Sequence, residues 1–357
     1  MSEQLILHTL EFINPAATSR GILHTKPSWM YYFPLENGQI AHTEFSIIPG
    51  LSPEYQDERQ YARDLQFFIE KCRAFIPLWS KKSFFEDQHY LEFTKDWRAF
   101  PSFLFGLELL LFSIQAKGSK QLFDTAFTRK EKQIPINGLV WMGSLSNMRI
   151  QAQEKLALGF KTVKIKIGAL DWQQELSLLK ELRMAAGPEL TIRVDANGAF
   201  TAENVHEVLN ELASLEVHSI EQPIAAGQRQ KMSELIINSP IPIALDEELI
   251  GLHTLEEKAQ NLDLLRPHFI ILKPSLHGGF SGVREWITLA EERKISWWLT
   301  SALESAIGLS AIVQFGSTYD LTLPQGFGTG AIYRNNFESD LVVEKGCIAW
   351  VNGFDRS

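Results

Sequence analysis

Cysteine is almost missing from this chain of 357 residues. Cys72 and Cys347 stand far apart with no Cys-x-x-Cys pair. A thiolate metal cluster and a disulfide-stapled fold are therefore not expected, and a reduced compartment fits best. Long apolar runs are missing too. The greasiest stretch, FLFGLELLLFSI, is broken by Gly106 and Glu108 and falls short of the roughly 18 residues a membrane span needs. The N-terminal MSEQLILHTLEF has no basic region ahead of an apolar core, so it reads as a first strand rather than a signal peptide. A soluble cytoplasmic protein is expected. Positive charge is in deficit, with a net charge of -9, which argues against nucleic acid or an acidic membrane surface as partner. The histidines form no His-x-His or HExxH pair. The glycine-rich GFGTG at 326–330 has no helix after it suited to a nucleotide phosphate, so it reads as a flexible turn. Nothing in the sequence sets an oligomeric state.

What is present is ordinary globular material, 45% hydrophobic and 22% charged, in two differently patterned parts. Residues 1–130 begin with strand-like pieces (LILHTLEF, MYYFPLENG, AHTEFSIIPG) and continue with helical stretches such as YARDLQFFIEKCRAF. Strands followed by helices in one block predict an α+β capping domain. Within it, residues 20–29 are punctuated by Gly21 and Pro27 and read as a mobile loop beside the site. From residue 131 to about 330 apolar runs alternate with amphipathic stretches. INGLVWM, KTVKIKIG, LTIRVDAN, SIEQPI, IPIALDEEL, FIILKPS and SWWLTSAL read as strands with helices between them. Asp171 and Thr201 are candidate helix caps, and Gly159 and Gly187 candidate stops. Residues 331–357 carry two further alternating strands around Glu344-Lys345-Gly346, expected to return to the capping domain.

Charged residues end several of these strands at intervals of about 25–29 residues: Lys164 and Lys166, then Asp195, Glu221, Asp246 and Lys273. Functional residues on at least five consecutive strand ends favour a closed (β/α) barrel over an open sheet, which gathers its ligand at one switch point. A buried carboxylate without a partner costs several kcal/mol, on the order of its desolvation penalty. Three in neighbouring strands need a counter-charge, and hard oxygen donors suit Mg²⁺, with Mn²⁺ as a substitute. The bland alternative is that each acid pairs separately with a lysine or arginine. Lys164 and Lys166 lie two apart and share a strand face, so both point inward and their repulsion would lower one of them into the range of a usable base. On its own this pair also fits a solvated edge strand, and Lys273 also fits a structural pair with Asp246 or Glu247. Asn197 is placed to reach the same region. Ser301, Glu304 and Ser305 open the helix after SWWLT, where backbone N–H groups suit a substrate carboxylate, although plain capping explains them equally well. His277 in HGGF reads as loop polarity.

Taken in order, KIK, RVDANG, IEQP, ALDE and ILKP resemble the muconate-lactonizing-type branch of the enolase superfamily across residues 134–330. The resemblance implies a (β/α)7β modified TIM barrel under an α+β cap built from both ends of the chain. It implies metal ligation by Asp195, Glu221 and Asp246, a base at Lys166, and Lys273 on the opposite face with Lys164 tuning the pair. Such enzymes use a Lys or His base with Mg²⁺ to form an enediolate. SALESAIGLSAIVQF and GFGTGAIYRNNF resemble a dehydratase family of that branch. This implies syn dehydration of 2-succinyl-6-hydroxy-2,4-cyclohexadiene-1-carboxylate, a small-molecule carboxylate of menaquinone biosynthesis, with Ser301, Glu304, Ser305 and Asn197 near the substrate. The Asp-x-Asp pair of dipeptide epimerases has no counterpart in LTLPQGFGTG, although an N-acylamino-acid racemase or dipeptide epimerase would use the same lysines. A barrel glycosidase would need paired carboxylates without a metal, and the pocket lysines count against it.

Overall fold

A computed structural model describes residues 2–18, 21–81 and 83–351. The chain opens with an antiparallel meander of β1 (Gln4–Thr18), β2 (Gly21–Pro34) and β3 (Ile40–Ser46). The turn between β2 and β3 is set by Asn37, whose side chain accepts the Gln39 N–H at 3.0 Å, and by Gly38 at φ +80°. Helices α1 (Glu58–Arg73), α2 (Ile76–Trp79), α3 (Gln88–Lys95) and α4 (Pro101–Gln115) follow. Asp57 and Asp87 start α1 and α3 by accepting the N–H groups of Gln60 and Tyr90. α4 is apolar nearly all round because it is wrapped on all sides. Its Gly106 lies flat against the Phe45 ring, where a Cβ would sit 2.2 Å from a ring carbon.

The segment expected as a mobile loop at 20–29 is different in the structure. Arg20 lies outside the described residues, and Gly21 to Trp29 form the first half of β2, paired with β1 from Thr18↔Gly21 to Leu7↔Trp29. Pro27 is tolerated there because β3 ends at Ser46 opposite Ser28, so one flank of Pro27 needs no donor.

A short strand β4 (Ile134–Pro135) leads into the barrel. Its units are β5 (Gly138–Val140) with α5 (Leu145–Ala157), β6 (Thr162–Lys166) with α6 (Trp172–Ala186), and β7 (Thr191–Asp195) with α7 (Val205–Ser214). Next come β8 (Ser219–Glu221) with α8 (Arg229–Asn238) and β9 (Ile243–Leu245) with α9 (Leu255–Leu265). β10 (Phe269–Leu272) with α10 (Gly279–Glu292) and β11 (Ser296–Leu299) with α11 (Ala306–Gly316) complete the series. β5 to β11 form one parallel sheet in chain order. Parallel bridges Thr300↔Gly326 and Ile136↔Gln325 join its two edges, so a two-residue segment takes the eighth strand's place and closes the barrel. Asp171 caps α6 and Gly187 ends it at φ +72°. Thr201 does not cap α7. That helix starts four residues later, because the Asn204 side chain bonds back to the Thr201 N–H at 2.9 Å and holds a turn there.

After the barrel, the chain runs along β1, with Ile13 N–H bonded to the Ile332 carbonyl and Arg334 N–H to that of Glu11. It ends in the hairpin β12 (Leu341–Glu344) and β13 (Cys347–Trp350), whose second strand pairs with β4. The terminal segment therefore touches both the cap and the barrel entrance. Residues 352–357 lie outside the described set.

Candidate active site

The alternation of each barrel strand fixes what reaches the interior. On β6, Val163, Ile165 and Ile167 are fully buried under the surrounding helices. Lys164 and Lys166 consequently point inward. The parallel register sets Lys166 beside Asp195 and Asp195 beside Glu221. Asp246 and Lys273 sit one residue past β9 and β10. All six project into one cavity at the C-terminal mouth. Ile48 and Leu51, just beyond β3, supply its cap-side wall, and Asn137, Trp298 and Thr329 line it from below and behind.

The charges are interleaved. Lys164 Nζ lies 2.9 Å from Asp195 and 2.5 Å from Glu221. Lys166 Nζ donates to Asp195 at 3.0 Å and to Asn197 Oδ1 at 2.6 Å. Lys273 pairs with Asp246. The three acids are at most 3% exposed, so these contacts are desolvated. Burial opposes charge on Lys164, but Asp195 and Glu221 outweigh it and hold the ammonium above its ordinary value. The mutual repulsion expected to lower one lysine of the pair therefore does not govern Lys164. Burial likewise opposes ionisation of Asp195, yet Lys164 and Lys166 hold it well below the usual carboxylate range. Glu221 goes the other way, pushed up to about 8 by burial and by Asp195 beside it. Glu247, buried next to Asp246, is raised to about 7.

Among the described residues, no three acidic, histidine or cysteine side chains converge on one point. The lysines take carboxylate oxygens instead, but not in the separate pairs of the bland alternative: Lys164 is shared by Asp195 and Glu221, and Asp195 by Lys164 and Lys166. Two buried carboxylate oxygens of the cavity still lack any partner, Asp246 Oδ1 and Glu247 Oε2. An orphaned acceptor beside three crowded acids, one of them driven toward its neutral form, is a donor set short of positive charge. Hard oxygens of this kind fit a divalent cation such as Mg²⁺. The residues present fit the metal.

Of the remaining expected site residues, Ser301 and Asn197 line the cavity, and Ser301 shares a 2.5 Å hydroxyl contact with Thr329. Glu304 and Ser305 do not. Both are fully buried, Glu304 accepting from Ser275 and the Ala302 N–H, and Ser305 donating to Glu44 of the cap. The anion site foreseen at the start of α11 is thus filled by the protein's own carboxylate. His277 carries more than loop polarity. Its Nδ1 accepts the Lys273 N–H at 2.9 Å and fixes the backbone under that lysine. A histidine four residues after Lys273, in a Pro- and Gly-bounded turn, was the available signal.

A closed barrel whose mouth carries three acids between lysines, under an α+β lid, defines an enolase-type enzyme. The family model described as "Enolase C-terminal domain-like" matches residues 147–353. The o-succinylbenzoate synthase of Desulfotalea psychrophila is 43% identical over 95% of this chain and 96% of its own length. The crystal structure of MenC from that organism superposes with a TM-score of 0.84 at 38% identity, covering 98% of this chain and 99% of the other. The L-Ala-D/L-Glu epimerase of Bacillus subtilis shares the fold, with a TM-score of 0.82 at 17% identity over 98% and 96% of the two chains. The N-succinylamino acid racemase of Thermus thermophilus is 30% identical over 54% of this chain and 49% of its own. The chain belongs to the o-succinylbenzoate synthase family of the enolase superfamily.

Proposed function

We propose that this enzyme, a hydro-lyase, converts 2-succinyl-6-hydroxy-2,4-cyclohexadiene-1-carboxylate to 2-succinylbenzoate by syn dehydration through an enediolate, in menaquinone biosynthesis. The observation that carries the chemistry is one cavity with Lys164 and Lys166 on one wall, Lys273 on the other and three buried acids between them. Asp195, Glu221 and Asp246 would hold Mg²⁺, which supplies charge stabilisation to the substrate carboxylate when bound. Lys166 Nζ, once freed from Asp195 and having given up a proton to solvent, removes the α-proton as a neutral amine, and Asn197 keeps it aimed at the cavity. A syn elimination needs acid and base on one face, so the same Nζ returns the proton to the departing hydroxyl. Lys273 stays an ammonium, because Asp246, Glu221 and Glu247 overcome the burial that opposes its charge. It therefore stabilises negative charge as it develops across the ring. Lys164, held charged between two acids, supports the same potential. The walls contributed by Ile48, Leu51 and Trp298 keep water from the reacting face.

No helix among the described residues is long and apolar enough to cross a membrane, and Cys72 and Cys347 are both free. Free cysteines suit a reducing compartment, in keeping with a cytoplasmic enzyme.

The test is conversion of the cyclohexadiene followed by its ultraviolet change, with Mg²⁺, with Mn²⁺ and with chelator. Fast turnover abolished by chelator is the expected result, and an inert, Mg²⁺-loaded protein would overturn the assignment. Lysines on both walls also suit two-sided proton exchange, so N-succinylamino acids scored by α-deuterium incorporation measure a racemase side activity.

A further inference from the structure

One buried polar cluster lies outside the barrel mouth and is not used by the chemistry above. Glu44, on β3 of the cap, is fully buried and reaches across to the first turn of α11. Its two oxygens accept the Ser305 N–H at 2.9 and 3.0 Å, the Ser305 hydroxyl at 2.6 Å, the Gly308 N–H at 3.0 Å and the Ser28 hydroxyl at 2.5 Å. The barrel side is shaped for this carboxylate. A Cβ on Gly308 would stand 2.6 Å from Glu44 Oε2, so only glycine leaves room for it.

Lys26, fully buried on β2, donates to Ser46 at 2.6 Å. Burial disfavours its charge, and Glu44 and Glu304 are the acids that oppose that effect. Glu304 in turn anchors Ser275, in the turn after β10, and the Ala302 N–H. The cluster therefore begins on two cap strands and ends on the loop 301–305. Ser301, Ala302 and Leu303 of that loop are cavity wall. Leu303 is held at φ +59°, in the left-handed region, and its carbonyl is tied to the Tyr333 hydroxyl. A non-glycine residue keeps such a conformation only where its surroundings over-determine it.

We infer that Glu44 is a positioning residue for substrate binding: with Lys26 and Ser28 it latches the cap to α11 and so fixes the 301–303 wall of the cavity. The inference rests on the dehydratase reading of the same site. It differs from plain capping, because these acceptor oxygens come from another layer of the molecule, on β3, which ends two residues before the cavity-wall residue Ile48. Loosening the latch moves that wall but leaves the lysines on β6 and just past β10 in place. The expected signature is therefore in KM rather than kcat.

The experiment is steady-state kinetics on the Mg²⁺-loaded enzyme for wild type, S28A, E44Q and G308A, with the Tm of each. S28A removes one bond to Glu44, and G308A crowds both acids of the cluster, Glu44 Oε2 at 2.6 Å and the Glu304 Cβ at 2.8 Å, without touching the cap sequence. We expect KM to rise about threefold in S28A and tenfold or more in E44Q and G308A, with kcat within about threefold of wild type. An unchanged KM in folded S28A and G308A, whatever their Tm, would overturn the inference. S28A keeps the test open if the other two fail to fold. A wild-type protein that turns over nothing would instead remove the dehydratase reading itself.

Discussion

At the scale of single residues, the two walls of the cavity predict different losses. Lys166 is the proton carrier, so Lys166→Ala removes general acid–base catalysis, a loss of about 10²–10⁴ in kcat. It does so with Mg²⁺ binding retained and with no α-deuterium exchange. Lys273 contributes a fixed positive charge, so Lys273→Ala costs about 10²–10³ in kcat, the size of losing one charge-stabilising donor. It leaves slow exchange at the α-carbon detectable. Equal exchange rates in the two variants, read by proton NMR in deuterium oxide, would contradict these roles. The acids and lysines were legible in the sequence because each ends an apolar run, where burial forces a charge to have a purpose. Asn137, Trp298 and His277 were not, since their types are common inside proteins. Only the register places Trp298 at the cavity, and only the turn after β10 brings His277 Nδ1 to the Lys273 N–H. The involvement of Glu304 and Ser305 at a substrate was misjudged for a related reason: the partner that takes them, Glu44, is 261 residues away from Ser305 in the chain.

At the scale of elements, local chemistry predicted most starts and stops. Repeated strand–helix units and inward-facing charges were enough to give the parallel barrel, because period-two alternation decides which side chains meet in its interior. Closure was expected from charges on consecutive strand ends, but the segment that makes it was not readable. The eighth strand position is two residues, Gln325 and Gly326, recruited from a stretch that looks like a turn. The first half of β2, Gly21–Trp29, was missed because Gly21 and Pro27 normally punctuate, and here an edge left open by β3 excuses the proline. α9 shows a local signal at full strength. Thr254 accepts the Glu257 N–H at 3.2 Å while Glu257 returns to the Thr254 N–H at 2.8 Å, a reciprocal capping box. This helix packs on the barrel's outer layer between α8 and α10, and none of its residues lines the active-site cavity. Thr254→Ala should therefore lower stability by about 1 kcal/mol, measured by urea titration, with kcat and KM unchanged. A change in kinetics would mean that α9 is coupled to the site, which its contacts do not support.

At the scale of the whole molecule, cap and barrel are joined by buried acids that reach helix N-termini across the interface. Glu44 does this at α11, and Glu108 at α10. Glu108, on α4 of the cap, accepts the Phe280 and Ser281 N–H groups through Oε2 and the Tyr90 hydroxyl through Oε1. Burial pushes its carboxyl up to about 8 despite those donors. The sign of the consequence follows from linkage. Between an unfolded value near 4.5 and about 8, the folded protein keeps a proton that the unfolded chain has released. Unfolding then releases a proton, so this contribution is complete below about pH 4.5 and is lost as pH rises through about 8. The slope approaches about 1.4 kcal/mol per pH unit for one group. Glu54, raised to about 7 by its own burial, adds a decline of the same sign. Glu108→Gln isolates the larger share, because an amide carbonyl can face the two N–H groups while its NH2 faces the Tyr90 oxygen. Urea titrations of both proteins, metal-free, from pH 5 to 8.5 should show wild-type stability falling more steeply than that of the variant. Parallel pH profiles would mean that Glu108 is ionised in the folded protein throughout. The α10 N-terminus and its backbone donors would then outweigh the burial, and the junction would be held by a charge rather than by a neutral acid.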